Sequence, residues 1–177
     1  MGTIRKFPLY RYTVSAYFSV MNDTDRKIIE ILIRDARTSL TDIGAMVELS
    51  PSAVNERIRR LVASGVIRRF TLDVDHRALG LDVLAFVWIA LTTEADEAEF
   101  RTFMARHPDV AECHHVTGGW SYCVKVRMST LGDIEQFLAE LKARRYLARS
   151  ETVIALSTVA ENSVTLPGAK EMERETR

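Results

Sequence analysis

The chain has 177 residues, with 24 Lys and Arg balanced by 24 Asp and Glu. That length holds one large domain or two small ones, each able to bury a core. Zero net charge argues weakly against a nucleic-acid binder, two cysteines exclude a disulfide framework and point to a reducing cytoplasm, and the longest apolar run, Val83 to Leu91, is too short to span a bilayer.

Residues 1–21 carry Arg5, Lys6 and Arg11 ahead of Tyr17-Phe18-Ser19-Val20, without the continuous apolar region that a signal peptide needs. Periodicity begins only after Met21, itself a candidate translation start. The stretch reads as a poorly ordered extension or a start-site artefact.

Asn22 is placed to cap a first helix, with Asp25 three positions on as its capping-box-like partner. Ile28, Ile29, Ile31, Leu32 and Ile33 give that helix a broad apolar face. Ser39, with Asp42, caps a shorter second helix whose apolar side is Ile43, Met46 and Val47; Glu48-Leu49 is the turn. Ser50-Pro51 opens a third helix, since a hydroxyl caps free N–H groups and proline suits the first helical position. It runs to about Ser64 and Gly65 closes it. Val54, Ile58, Leu61 and Val62 share one face. Ser52, Ala53, Glu56, Arg59 and Arg60 lie roughly opposite, with Asn55 and Arg57 at the flanks.

Between Ser50 and Arg69 five arginines (Arg57, Arg59, Arg60, Arg68 and Arg69) face the single acid Glu56. Local charge, not the net total, decides where phosphate is attracted. A charge cluster by itself most often marks a solvated face. On the third helix of a three-helix unit it reads as a helix-turn-helix recognition element for double-stranded DNA. Ser50, Ser52 and the helix N-terminus suit phosphates, and Asn55, Glu56 and Arg59 suit base edges. Arg57 suits either a phosphate or an internal ion pair. Arg68 and Arg69 would follow the DNA backbone in or beside the minor groove. Residues 66–74 look extended, as a wing or a linking strand.

After a hinge-like segment, Asp75 to Gly80, the pattern changes. Strand Val83–Leu91, with the character of a fully buried strand, precedes a helix capped by Thr93 and Asp96, with Phe100, Phe103 and Met104 inward. Strands at Val110–Val116 and Ser121–Met128 flank a glycine turn. Thr130 and Asp133 cap another helix bearing Ile134, Phe137, Leu138 and Leu141, and a strand at Thr152–Val159 closes the set. The order βαββαβ is the ferredoxin-like split unit, with two helices on one sheet face. The uncovered face calls for a second subunit. The fold class is α+β: a winged helix-turn-helix domain over 22–74, a linker over 75–82, a ferredoxin-like domain over 83–160 and a loose polar tail over 161–177.

Thr117-Gly118-Gly119-Trp120 is at minimum a hairpin turn needing positive φ. Its free N–H groups suit a carboxylate, with Trp120 or Tyr122 walling a pocket. Cys113 and His115 alternate onto one strand face and His114 onto the other, with Cys123 on the neighbouring strand near Cys113. Their spacing lacks the paired pattern of structural zinc, so they read as sheet packing. No metal or cofactor is expected.

From Asn22 to about residue 159 the chain resembles the Lrp/AsnC family of bacterial and archaeal transcription regulators. The resemblance rests on Asn22-Asp23-Thr24-Asp25-Arg26-Lys27-Ile28-Ile29, Asp35-Ala36-Arg37 and Leu49-Ser50. Val54, Arg57, Ile58 and Leu61 follow, then Gly65-Val66-Ile67, Leu79-Gly80, Val116-Thr117-Gly118 and Thr152. It implies dimers on pseudo-palindromic DNA, frequent assembly into octamers or related rings, and a small effector, usually an amino acid. The effector set it implies is Thr117, Gly118, Gly119, Trp120, Ser121 and Tyr122, at a contact between dimers. Two departures stand out. Asn22 replaces a common Asp but keeps the capping role. Ser121 stands where an aspartate that could answer an effector's ammonium commonly ends the turn, and Gly119 where an acidic or polar residue is frequent, a loss that bears on the effector class and on effector binding itself.

A competing reading is enzymatic: siroheme decarboxylases share the two-part architecture and use histidines and aromatics in the second domain, where His114, His115, Trp120 and Tyr122 fall. The basic recognition helix and the glycine turn oppose it, and haem-like absorbance in the purified protein would favour it. A co-regulator that assembles with relatives without reading DNA alone is the third reading.

Overall fold

A computed structural model describes residues 22–161. The expectations for the extension 1–21, for Met21 as a start and for the tail beyond 161 lie outside these residues. The backbone divides between Leu72 and Asp73 into two compact units.

The first unit holds α1 (Asp23–Arg34), α2 (Leu40–Val47) and α3 (Pro51–Ala63). Asn22 accepts the Asp25 N–H at 2.8 Å, Ser39 accepts that of Asp42 at 3.1 Å and Ser50 that of Ala53 at 3.2 Å. Each cap satisfies one of the N–H groups that a helix start leaves free. Ile28, Ile43 and Val54, one from each helix, form the centre of the core, with Ile31, Leu32, Val47, Leu49 and Ile58 packed around them. Met46, 61% exposed, and Val62 do not join the apolar faces assigned to them. Both side chains lie outside that core.

The turn between α2 and α3 depends on a glycine. Glu48 takes the left-handed conformation, φ 56°, and the Leu49 N–H returns to the Gly44 carbonyl at 2.9 Å. A Cβ at Gly44 would lie 2.5 Å from the Leu49 carbonyl oxygen. Backbone cannot yield as a side chain can, so Gly44→Ala is expected to destabilise this unit by about 1–3 kcal/mol, outweighing the helix-propensity gain of roughly 1 kcal/mol. Thermal unfolding followed by circular dichroism measures it; an unchanged or raised midpoint would show that the turn can open.

Neither a wing strand nor a linking strand is seen over this segment among the described residues. Residues 66–74 carry no strand and pair with nothing in the ladders of the described residues. Asp75 Oδ1 then accepts the Arg77 N–H at 2.9 Å at the start of a 3₁₀ turn, Arg77–Leu79, closed by Gly80 at φ 73°.

The second unit runs β1 (Val83–Leu91), α4 (Glu97–Arg106), β2 (Val110–His115), β3 (Tyr122–Met128), α5 (Leu131–Ala143) and β4 (Leu147–Ile154). The antiparallel sheet has the order β2-β3-β1-β4, the ferredoxin-like arrangement. Ala85, Val87 and Ile89, with Tyr122, Val124, Val126 and Met128, bury one sheet face under Phe100, Met104, Ile134, Phe137 and Leu141. The other residues of β1, among them Leu84, Phe86 and Trp88, remain only half-buried. The apolar run is therefore covered on one face, not both, because both helices lie on the same side.

Several boundaries differ from expectation: β2 ends at His115 and β3 begins at Tyr122, each one residue short of the expected turn-side end. The α4 cap is Asp96 alone, accepting from Ala98 and Glu99 N–H groups, and Thr93 lies in the loop before it. Thr130 and Asp133 do form a reciprocal capping box on α5. The last strand begins at Leu147, five residues ahead of the expected Thr152, and Leu156 and Val159 are 96% and 97% exposed. Tyr146 sets this register. It is buried in the core directly after the left-handed Arg145, and its carbonyl accepts the Thr92 N–H at 3.0 Å, so pairing with β1 starts at once. Among the described residues no helix is long and apolar enough to cross a membrane.

Candidate functional site

The α3 surface is built from its N-terminus. No acid occupies its first turn, so the helix dipole and the free N–H groups present positive potential there. Ser50 and Ser52 are exposed at that end, their hydroxyls 3.0 Å apart, with Ala53 half-buried beside them. Asn55, Glu56, Arg59 and Arg60 are exposed along the helix; Arg68 and Arg69 are exposed beyond it. Arg59 and Glu56 approach to 3.7 Å, both well exposed, a weak pairing that water readily separates.

Arg57 is different. Its Nη1 donates to Asp25 Oδ1 at 2.8 Å and to Asn22 Oδ1 at 3.4 Å, with Asp25 among the unit's buried residues. Of the two roles open to it, the internal ion pair is the one seen. Asp25 consequently spends its carboxylate on Arg57 and not on a reciprocal capping bond to Asn22.

In the second unit Gly118, φ 102°, turns the chain between β2 and β3. Val116 donates to the Ser121 carbonyl at 3.1 Å, and Ser121 donates its own N–H to Ile89 at 2.8 Å. The Ser121 hydroxyl accepts the Leu91 N–H at 3.2 Å. Arg149, from β4, stacks its guanidinium 4.1 Å from the Trp120 ring centroid and donates to the Gly119 carbonyl at 3.3 Å. Thr117, Gly118, Gly119, Trp120 and Ser121 are thus brought together. Tyr122 is not: it points to the helix-covered side, buried, against Phe100 and His115.

There Tyr122 donates to Glu97 Oε1 at 2.6 Å and accepts from Arg101 Nε at 2.6 Å. Burial, reinforced by the Glu97 carboxylate, pushes its phenol up to about 12. The Tyr122 hydrogen bond and then Arg101 hold the Glu97 carboxyl below its ordinary value. Its ring borders a groove of about 350 Å³ between α4 and β2, lined also by Arg101, Met104, Val110, Cys113 and His115.

Cys113 pairs across to Val124 and Cys123 to His114, so the two thiols fall on opposite sheet faces and not together. Burial pushes the Cys113 thiol up to about 11, with a smaller contribution from Cys123, which makes it a poor nucleophile. Among the described residues no three His, Cys, Asp or Glu side chains are grouped as a metal site needs.

Sequence reasoning missed Arg149 and Gly44. Arg149 lay outside the expected strand, and only its pairing opposite Ala90 brings it beside the turn. A lone glycine within a helix was the available signal for Gly44.

Residues 21–68 match the family model described as winged helix-turn-helix DNA-binding, and residues 84–165 match the Lrp/AsnC ligand binding domain. The HTH-type transcriptional regulator FL11 of Pyrococcus furiosus is 32% identical over 144 residues, 81% of this chain and 95% of that protein. The structure of LrpC from Bacillus subtilis superposes with a TM-score of 0.70 at 30% identity, covering 79% of this chain and 97% of LrpC. The Neisseria meningitidis regulator NMB0573, solved as a complex with L-Met, shares the fold at a TM-score of 0.76 and 21% identity, over 85% and 99% of the two chains. Helix-turn-helix, sheet order and relatives agree: this chain belongs to the Lrp/AsnC family of DNA-binding transcriptional regulators.

Proposed function

We propose that this protein binds pseudo-palindromic DNA as a dimer or larger ring, and that a small effector at the Thr117–Ser121 turn modulates it. The observation that carries the reading is the exposed, acid-free N-terminus and basic outer face of α3, the third helix of its unit, joined to α2 through the tight Gly44 turn, which is the pattern of a recognition helix that enters the major groove. Ser50, Ser52 and Ala53 meet phosphates; Asn55, Glu56 and Arg59 read base edges; Arg60, Arg68 and Arg69 track the backbone. Residues 75–82 serve as the linker between the 22–74 and 83–160 domains.

The half-covered sheet face supports the dimer. Leu84, Phe86 and Trp88 lie on it with Val153 of β4, and an apolar face of this kind is normally covered by another layer.

Footprinting on the protein's own upstream DNA, with and without a panel of amino acids, tests the whole reading. Within it, Arg59→Ala is expected to cost about 1–3 kcal/mol of binding and to relax preference at one base pair. A uniform loss on all sequences would make Arg59 a phosphate contact instead.

A further inference from the structure

We propose that the ligand of the Thr117–Ser121 turn is a small carboxylate without an α-ammonium group, such as a 2-oxo acid, held by Arg149 beside Trp120. This rests on the reading of the turn as the effector site.

Arg101, Arg127 and Arg144 each pair with a carboxylate, at 2.7, 2.6 and 3.3 Å. Arg149, like Arg77, Arg106 and Arg145, pairs with no carboxylate among the described residues of this unit; what sets it apart is that it is held in place, stacked on Trp120 and bonded to the Gly119 carbonyl. The stack and the carbonyl hold the guanidinium in place without neutralising it. A fixed, uncompensated guanidinium is a fork that matches a carboxylate in shape and charge.

The rest of the turn supplies donors. The N–H groups of Gly118, Gly119 and Trp120 donate to no backbone acceptor among the described residues. Ser121 uses its hydroxyl oxygen as acceptor for Leu91, which leaves its proton to give. Successive free N–H groups at a tight turn favour an anion.

The turn itself offers nothing that an ammonium would need. Residues 116–121 contain no acid. The face of Trp120, the other natural partner of a cation, is taken by Arg149. Glu151 sits one pleat along β4, opposite Trp88, and forms no ion pair among the described residues. An ammonium beside Arg149 would meet like charge at close range.

The test is calorimetric titration of the full chain with matched pairs: alanine and pyruvate, leucine and 4-methyl-2-oxopentanoate, methionine and 4-methylthio-2-oxobutanoate, glutamate and 2-oxoglutarate. At least one oxo acid is expected to bind ten times or more tighter than its amino acid. Arg149→Gln should weaken that binding at least tenfold, with Arg149→Lys between, whereas Glu151→Gln should leave it unchanged. Amino acids that bind as tightly as their oxo acids, or binding insensitive to Arg149→Gln, would overturn the inference and leave the turn standing as an effector site. Silence from every pair would remove both.

Discussion

Replacing Arg57 with alanine is expected to destabilise the N-terminal unit by about 3 kcal/mol, enough to unfold a sizeable fraction of so small a unit. Arg57 reaches from α3 to Asp25 on α1 at 2.8 Å, and the side chains are 24% and 7% exposed. Removing the guanidinium leaves a buried carboxylate whose remaining help is the N-terminal end of its own helix. Because Arg57 is a quarter exposed, the loss falls at the low end of the range for broken buried pairs. Asp25→Ala should cost a similar amount, and the double variant less than the sum of the two, since the pair acts as one unit. Thermal unfolding of the three variants measures the coupling. Additive losses would mean that the contact is incidental, and lost DNA affinity with unaltered stability would reassign Arg57 to phosphate.

Trp88→Glu is expected to leave the protein monomeric at micromolar concentration and to weaken operator binding a hundredfold or more. Trp88 lies on the open sheet face, opposite Cys123 on one side and Glu151 on the other. In a two-fold interface each substitution enters twice. Two buried carboxylates, each close to an existing Glu151, cost on the order of several kcal/mol. Losing the dimer also removes the second half-site's contribution, which acts through effective concentration. Sedimentation equilibrium and operator titration read both effects. Stable dimers of the variant would move the interface elsewhere.

Both outcomes follow from alternation and pairing that differ in how visible they were. The helix caps Asn22, Ser39, Ser50 and Thr130 were legible because capping is local: a side chain satisfies N–H groups two or three residues away. The apolar periodicity of α5 and the order βαββαβ were legible for the same reason. The last strand was not. Its polar residues 149–151 hide its start, and the β-branched run Thr152-Val153-Ile154 suggests a later one, while the register is fixed by Tyr146 in a core that sequence does not display.

The candidate sites divide along the same line. The basic outer face of α3 could be read directly, because helical spacing places Asn55, Glu56, Arg59 and Arg60 without reference to other elements. The turn at Gly118 could be read from its glycines. Folding decided that Arg57 faces Asp25, that Tyr122 leaves the turn for Glu97 and Arg101, and that Arg149 arrives beside Trp120. Sequence by itself determined the helices with most of their faces and the order βαββαβ, since those depend on neighbours within one turn or pleat. Tertiary structure alone decided which charges are cancelled and which are left free, because a partner many residues away is chosen by strand register and helix packing.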